Sequence, residues 1–396
     1  MDLRDSASDT RFRRALRAWL ETEVPRHGAP PPPGDWAARR RYDTDWQRKL
    51  HVAGFAGLSW PEEYGGRGAA LSEQLIFYEE TARAGAPYIG ANFIGMMHGG
   101  PTLIAEGTPE QKAFHLPAIL RGEYVWCQGF SEPGAGSDLA ALQTRALREG
   151  DFYVVEGHKI WSTRAHVADY CELLVRTDPD ASKHGGLSWL ILPMGEPGVE
   201  VRPLETLAGD SHFCEIFLNG VRVPVGNRVG EENDGWRVAN VTLRIERGTA
   251  FAQHVISMRT QLQGIATLAR KREGAWADPA LRGRLGALEA RVGALWRLTQ
   301  MGVSEARRTG GAALAGSAVK LHYSELYQEI GELGLQLLGR GALCREDVAG
   351  LPSAEMLHDY LWSLQFTISG GTSQVQRNII GERVLGLPRE PRWEPR

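Results

Sequence analysis

Along the first third of the chain, apolar residues return at helical spacing. Phe12, Leu16, Trp19 and Leu20 share one face. After the break "GAPPPPGDW" the same period resumes around residues 35 to 56 and 71 to 84. Thr108, Pro109 and Gln111 supply an N-cap, a proline at the first helical position and a capping-box partner, so another helix is predicted to start there. From about residue 123 the period changes. The segments "EYVWCQGF", "DFYVVEGHKIWS", "YCELLVRT", "LSWLILPM", "VEVRPL" and "HFCEIFLNGVRVP" are short runs rich in β-branched and aromatic residues, divided by Gly, Pro and Asp turns. They predict a compact antiparallel β-domain. After "GEENDGW" helical spacing returns, with Phe251, Val255, Met258, Leu262 and Ile265 in one stripe, and continues to about residue 385. The expected fold class is α+β: an N-terminal α-helical domain (1–122), a central antiparallel β-domain (123–233) and a C-terminal helical domain (234–396).

A length of 396 residues agrees with two or three structural units. A hydrophobic content of 42%, a charged content of 23% and a net charge of -3 give the chain no electrostatic reason to seek nucleic acid. Cys127, Cys171, Cys214 and Cys344 are scattered without a C-x-x-C pair, which argues against a zinc site or a disulfide framework and for buried thiols in a reducing compartment. No metal site is expected. The N-terminus lacks an uninterrupted apolar stretch, and no segment offers about 18 apolar residues in a row, so a cytoplasmic protein without a membrane span is expected.

Three stretches carry candidate chemistry. "GFSEPGAGSDLAAL" (129–142) invites a dinucleotide-binding reading through Gly134 and Gly136. Its continuation, "TRALREGDFYVVEGHKIW", reads instead as a strand, a tight turn and a returning strand, so the glycines belong to a loop of the β-domain. "GHKIWSTRAHVADY" (157–170) puts Trp161 and Thr163 on one face of a strand. There they either cover a planar ring and hydrogen-bond its edge or belong to the core. "QFTISGGTSQVQRNIIGERVLGLPR" (365–389) brings two glycines and small polar side chains to the start of a helix, as a loop approaching a ligand would.

The order of these segments, with "WPEEYGG" (60–66) and "GTPEQKAFHLPAILRGE" (107–123), resembles the acyl-CoA dehydrogenase family over nearly the whole chain. The resemblance implies a C-terminal four-helix bundle, with FAD held between it, the β-domain and a neighbouring subunit. It implies flavin contacts from Gln128, Phe130, Ser131, Gly136, Ser137, Trp161, Ser162 and Thr163, and further cofactor contacts from Thr372, Ser373 and Gln374. The implied reaction removes the α-proton of an acyl-CoA and passes the β-hydrogen to FAD, giving a trans-2-enoyl-CoA. Many members carry the base immediately before Gly-Thr-Ser, where this chain has Gly370. A second branch, including isovaleryl-CoA dehydrogenase, carries a glutamate before an arginine on the first C-terminal helix, and Glu246-Arg247 in "VTLRIERGTAF" matches it. Glu246 is the expected base, and Arg247, Gly370 and Ser137 are the expected substrate contacts.

Two segments depart from the family pattern. "ARKREGAWADPALRG" stands where R-x-x-F-G is usual, and "QLLGRG" replaces Q-x-x-G-G. Both belong to the surface that serves a neighbour's cofactor in the family. The expected assembly is therefore either a homotetramer with substitute contacts or a heterotetramer with a divergent paralogue. The base-bearing chains of actinobacterial steroid side-chain enzymes are the matching type, and a non-catalytic assembly subunit is the alternative. Gly370 leaves room for a branched or bulky acyl group, a steroid side chain included. Electron-transferring flavoprotein is the acceptor that the resemblance implies.

Overall fold

A computed structural model describes residues 4–87, 90–245, 252–309, 316–348 and 350–389. Helices α1 (Ala7–His27), α2 (Trp36–Val52), α3 (Leu71–Arg83), α4 (Gly100–Glu106) and α5 (Pro109–Leu120) come first. Eight strands follow: β1 (Trp126–Gly129), β2 (Arg145–Glu149), β3 (Phe152–Thr163), β4 (Tyr170–Arg176), β5 (Leu187–Pro193), β6 (Val199–Leu204), β7 (Phe213–Pro224) and β8 (Arg228–Val229). The chain then returns to helix with α6 (Gly235–Ile245), α7 (Ala252–Lys271), α8 (Pro279–Thr309), α9 (Gly316–Leu338), α10 (Ser353–Ser363) and α11 (Ser373–Ile379). Two compact units result, one of residues 18–70 and 84–246, the other of residues 1–17, 71–83 and 247–396.

In the first unit the strand order is β6-β7-β3-β2-β4-β5-β8, with β1 also paired to β4. The expected sheet was wholly antiparallel; this one is mixed. β1 runs parallel to β4 from Trp126↔Tyr170 to Gly129↔Leu173, and β2 meets β4 in parallel at Arg145↔Arg176. The reason lies in the connection: β1 leads into a long loop rather than a tight turn, so nothing folds it straight back on itself. Strands β4 and β5 are buried along most of their length, as their near-continuous apolar runs require. Tyr153, Val155, Leu173, Leu190, Ile216 and Val223 form the sheet's core with Cys127, Cys171 and Cys214. Those three thiols are buried and unbridged, and Cys344 is half-buried.

Local signals explain how helices attach to this sheet. The Thr108 hydroxyl accepts from Gln111 N at 3.2 Å while Thr108 N donates to the Gln111 amide at 3.0 Å, closing the predicted capping box. The same amide donates to Gly226 O and Arg228 O, tying α5 to the start of β8. Helix α6 sits close to β5 because Gly235 has no side chain: a Cβ there would lie 2.5 Å from the Ser188 backbone. Thr242 of α6 is buried and shares a 2.8 Å hydrogen bond with Thr102 of α4.

In the second unit α7, α8 and α9 pack on one another, and α10 and α11 pack on α9. Val255, Met258, Leu262 and Ile265 are buried as their spacing predicts, and Phe251 lies outside the described residues. Helix α3 packs against α7 and α8. Its buried Glu80 accepts from Arg13 at 2.7 Å and from Nε and Nη2 of Arg17, each at 2.8 Å, which fixes the first turns of α1 to the same unit. Among the described residues no helix is long and apolar enough to cross a membrane, and no group of three or more His, Cys, Asp or Glu could hold a metal.

Candidate active site

The loop after β1 is built on a small charged frame. Gly129 ends the strand where a Cβ would meet Cys171 Sγ at 2.8 Å. One residue earlier, pairing sets Gln128 opposite Glu172. The Gln128 amide donates to Glu172 Oε1 at 2.7 Å, and the same carboxylate lies 3.4 Å from His98 Nδ1. Phe130 is buried, and Ser131 O accepts from Ile160 N at 2.9 Å, so the loop lies along β3. Glu132 and Ala135 exchange backbone hydrogen bonds of 3.0 Å, closing a turn over Pro133 and Gly134.

Beneath this turn lies a feature that sequence reasoning missed. Lys159 of β3, wholly buried, donates to Glu132 Oε1 at 2.9 Å and to Phe130 O at 3.0 Å. Glu132 also accepts from Gln143 N at 2.6 Å and Thr144 N at 2.8 Å. Burial pushes the Glu132 pKa up, but Lys159, Thr144 and Gln143 outweigh it and hold the carboxyl below its usual range. Burial lowers the Lys159 pKa although the Glu132 carboxylate opposes the shift. The available signal was a lysine at a position where strand alternation points inward.

On the outer side, Gly134, Gly136 and Ser137 are exposed. A Cβ at either glycine would touch nothing within 4 Å. Internal packing therefore does not require these glycines, and the space beside them is open to a ligand. Where β3 passes the loop its register on β7 shifts between Lys159 and Ser162, and Trp161 takes a φ of 63°. Such a conformation at a bulky residue costs on the order of 1–3 kcal/mol. It turns the indole outward, 58% exposed, with Ser162 wholly buried and Thr163 half-buried. The Ser162 hydroxyl has no hydrogen-bond partner among the described residues.

The other candidate segment, in the second unit, is the turn between α10 and α11. Gly370 and Gly371 have φ of 61° and 90°, the left-handed conformations that glycine tolerates. Thr372 caps α11, its hydroxyl accepting from Val375 N at 3.2 Å. Ser373 is buried with its hydroxyl unpartnered among the described residues, while Gln374 is exposed. The Gln376 amide donates to Gly370 O at 2.8 Å, and buried Lys320 of α9 donates to Phe366 O and Gly371 O. Glu246 and Arg247 lie outside the described residues. Of the two departing segments, Arg270 stacks on Trp276 at 4.2 Å. The Arg272 guanidinium stands 3.6 Å from where a Cβ of Gly339 would be, so these two segments meet.

Residues 6–123, 127–221 and 233–385 match the families described as acyl-CoA dehydrogenase N-terminal, middle and C-terminal domains. The chain belongs to the acyl-CoA dehydrogenase family. It is 38% identical over 395 residues to "Acyl-CoA dehydrogenase IpdE1" of Mycobacterium tuberculosis, covering 96% of this chain and 98% of that one. It is 39% identical to "Acyl-CoA dehydrogenase FadE26" of the same organism over 86% of each chain. Among solved structures, the "Tcur3481-Tcur3483 steroid ACAD" superposes with a TM-score of 0.84 at 32% identity, over 98% of this chain and 100% of that one. The ChsE4-ChsE5 complex from Mycobacterium tuberculosis gives 0.83 at 34%, again over 98% and 100%. The protein is thus an FAD-dependent acyl-CoA dehydrogenase with the N-terminal helices, central sheet domain and C-terminal helical domain of its family. Within the first unit the residues fit FAD: an outward indole, an open glycine loop and the unpartnered hydroxyl of Ser162 are what a flavin nucleotide with many polar edges would use.

Proposed function

We propose that the enzyme dehydrogenates the α,β-bond of a bulky acyl-CoA of the steroid side-chain class, giving the trans-2-enoyl-CoA, with Glu246 as the base. The observation that carries the site assignment is the outward turn of Trp161 beside the open Gly134–Ser137 loop. Bound FAD would supply the hydride acceptor. Gln128, Phe130, Ser131, Gly136, Ser137, Trp161, Ser162 and Thr163 hold the flavin, and Thr372, Ser373 and Gln374 make further cofactor contacts. Glu246 takes the α-proton, which becomes acidic enough only when donors meet the thioester oxygen. The Gly370 N–H is one such donor. Ser137 and Arg247 complete the substrate contacts. A relative named as a steroid enzyme supports the substrate class, and Gly370, with no side chain, supports a roomy pocket.

The same relatives support a reading of the assembly. Two structural neighbours, Tcur3481-Tcur3483 and ChsE4-ChsE5, are each named for two chains, and this chain departs from the family pattern at "ARKREGAW" and "QLLGRG". A heterotetramer with a divergent paralogue is the reading they favour, with electron-transferring flavoprotein as acceptor. Expressed by itself, the chain should hold substoichiometric FAD; co-expression with a divergent paralogue should raise the flavin content and change the mass in solution. Flavin absorbance per polypeptide, with light scattering on the same sample, checks this. A fully flavinylated particle built of this chain alone would refute the heteromer.

A further inference from the structure

Lys320 lies in the second turn of α9 on its buried face, among Ser317, Val319, Tyr323, Ser324 and Tyr327, and is 1% exposed. A lysine at such a place loses its hydration, so its ammonium must be satisfied by fixed oxygens. It donates to Phe366 O at 2.7 Å and to Gly371 O at 2.6 Å, bridging the two ends of the turn that carries Gly370. Neighbouring contacts hold the same turn. Gln376 donates to Gly370 O at 2.8 Å, Gln328 donates to the Thr367 hydroxyl at 3.1 Å, and the Phe366 ring packs on His254, 4.8 Å between centroids.

These bonds decide where the N–H groups point. A trans peptide directs its N–H away from its own carbonyl. Drawing the Gly370 and Gly371 carbonyls toward Gln376 and Lys320 therefore turns the N–H groups of Gly371 and Thr372 the opposite way, and with Phe366 O held by the same ammonium it fixes both ends of the backbone that carries the Gly370 N–H named above. No acceptor for the N–H of Gly370, Gly371 or Thr372 is found among the described residues. The turn is a set of aimed donors with a buried cation behind it.

We propose that Lys320 is a positioning residue for the dehydrogenation: its ammonium fixes the Gly370–Thr372 turn so that the donors meet the thioester oxygen as negative charge develops there. This rests on the acyl-CoA reading above and adds to it the group that aims the donors. Removing the ammonium releases the turn, and a displacement of about 1 Å at such a site slows chemistry by roughly 100-fold. It would leave the quantity of bound flavin that finally reacts unchanged.

The test is anaerobic single-turnover bleaching of the FAD-loaded enzyme, with any chain that co-purifies, using cholyl-CoA at saturating concentration. A merely structural role would lower the amplitude, which counts folded sites. A positioning role lowers the rate constant per bound flavin. For Lys320→Met the expected result is a rate constant lower by about 100-fold at unaltered amplitude, with Lys320→Arg recovering part of it because the cation is kept. A rate constant within twofold of the parent would overturn the proposal while leaving the activity established. If Lys320→Met does not fold, Lys320→Gln retains one donor, and the same comparison decides, with a tenfold loss expected. If the parent enzyme is bleached by none of cholyl-CoA, isobutyryl-CoA and octanoyl-CoA, the reading of the activity fails and this proposal with it.

Discussion

In a Glu246→Gln variant, FAD should remain bound while anaerobic bleaching by acyl-CoA slows by about 100- to 10,000-fold, the usual contribution of a positioned general base. The amide has the shape of the carboxylate but cannot take a proton. Where many relatives place the base, this one has Gly370, with no side chain and a φ of 61° that glycine tolerates and other residues resist. A carboxylate must come from elsewhere, and Glu246, matched to the second branch by the arginine after it, is the candidate. Stopped-flow absorbance of the flavin reports the rate, and the spectrum before mixing reports occupancy. An unchanged rate with full occupancy would remove Glu246 from the mechanism.

The second large effect is expected at Lys159. Replacing it by Met leaves the Glu132 carboxylate buried without its cation, and breaking a buried pair from one side costs about 3–5 kcal/mol. In a unit of this size that corresponds to a melting point lower by roughly 10 °C. Because the pair pins Phe130 and Glu132, the loop bearing Gly134 to Ser137 should loosen too, and flavin should dissociate more readily. Glu132→Leu combined with Lys159→Met should recover much of the stability but less of the flavin binding, since the apolar pair packs without fixing the loop. The pH dependence has a definite sign. The Glu132 pKa is lower in the folded protein than the ordinary carboxyl value of 4.5, so its contribution is fully present above that pH and is lost as pH falls through the folded value. Thermal melts of the single and double variants provide the check. A Lys159→Met protein that melts with the parent would show that the pair carries no such weight.

Much of this was legible because it is local. The α5 capping box, the β2–β3 turn and the buried stripe of α7 are each written within a few residues of one another. What escaped depends on distant partners. β1 joins β4 in parallel across 44 positions, and nothing in "WCQG" announces it. Lys159 finds Glu132 27 residues away, and Lys320 finds Gly371 51 residues away. In a sequence window each lysine reads as a solvated charge, and only tertiary packing reveals the oxygens that allow it to be buried. Trp161 was expected to share a face with Thr163 on a regular strand. The register shift beside it arises from the pairing of β3 with β7, which the spacing of apolar residues does not encode.

Position 161 also shapes how this enzyme would respond to selection. Glycine, or at some cost asparagine, would accept its backbone angles with less strain than tryptophan does. A population screened for heat resistance alone would therefore drift toward small residues there and lose the aromatic surface with no sign of damage in the melting curve. Screened for turnover, the same population would keep the indole and bear its strain. With the flavin contact proposed for Trp161, stability and catalysis would pull in opposite directions at this single site.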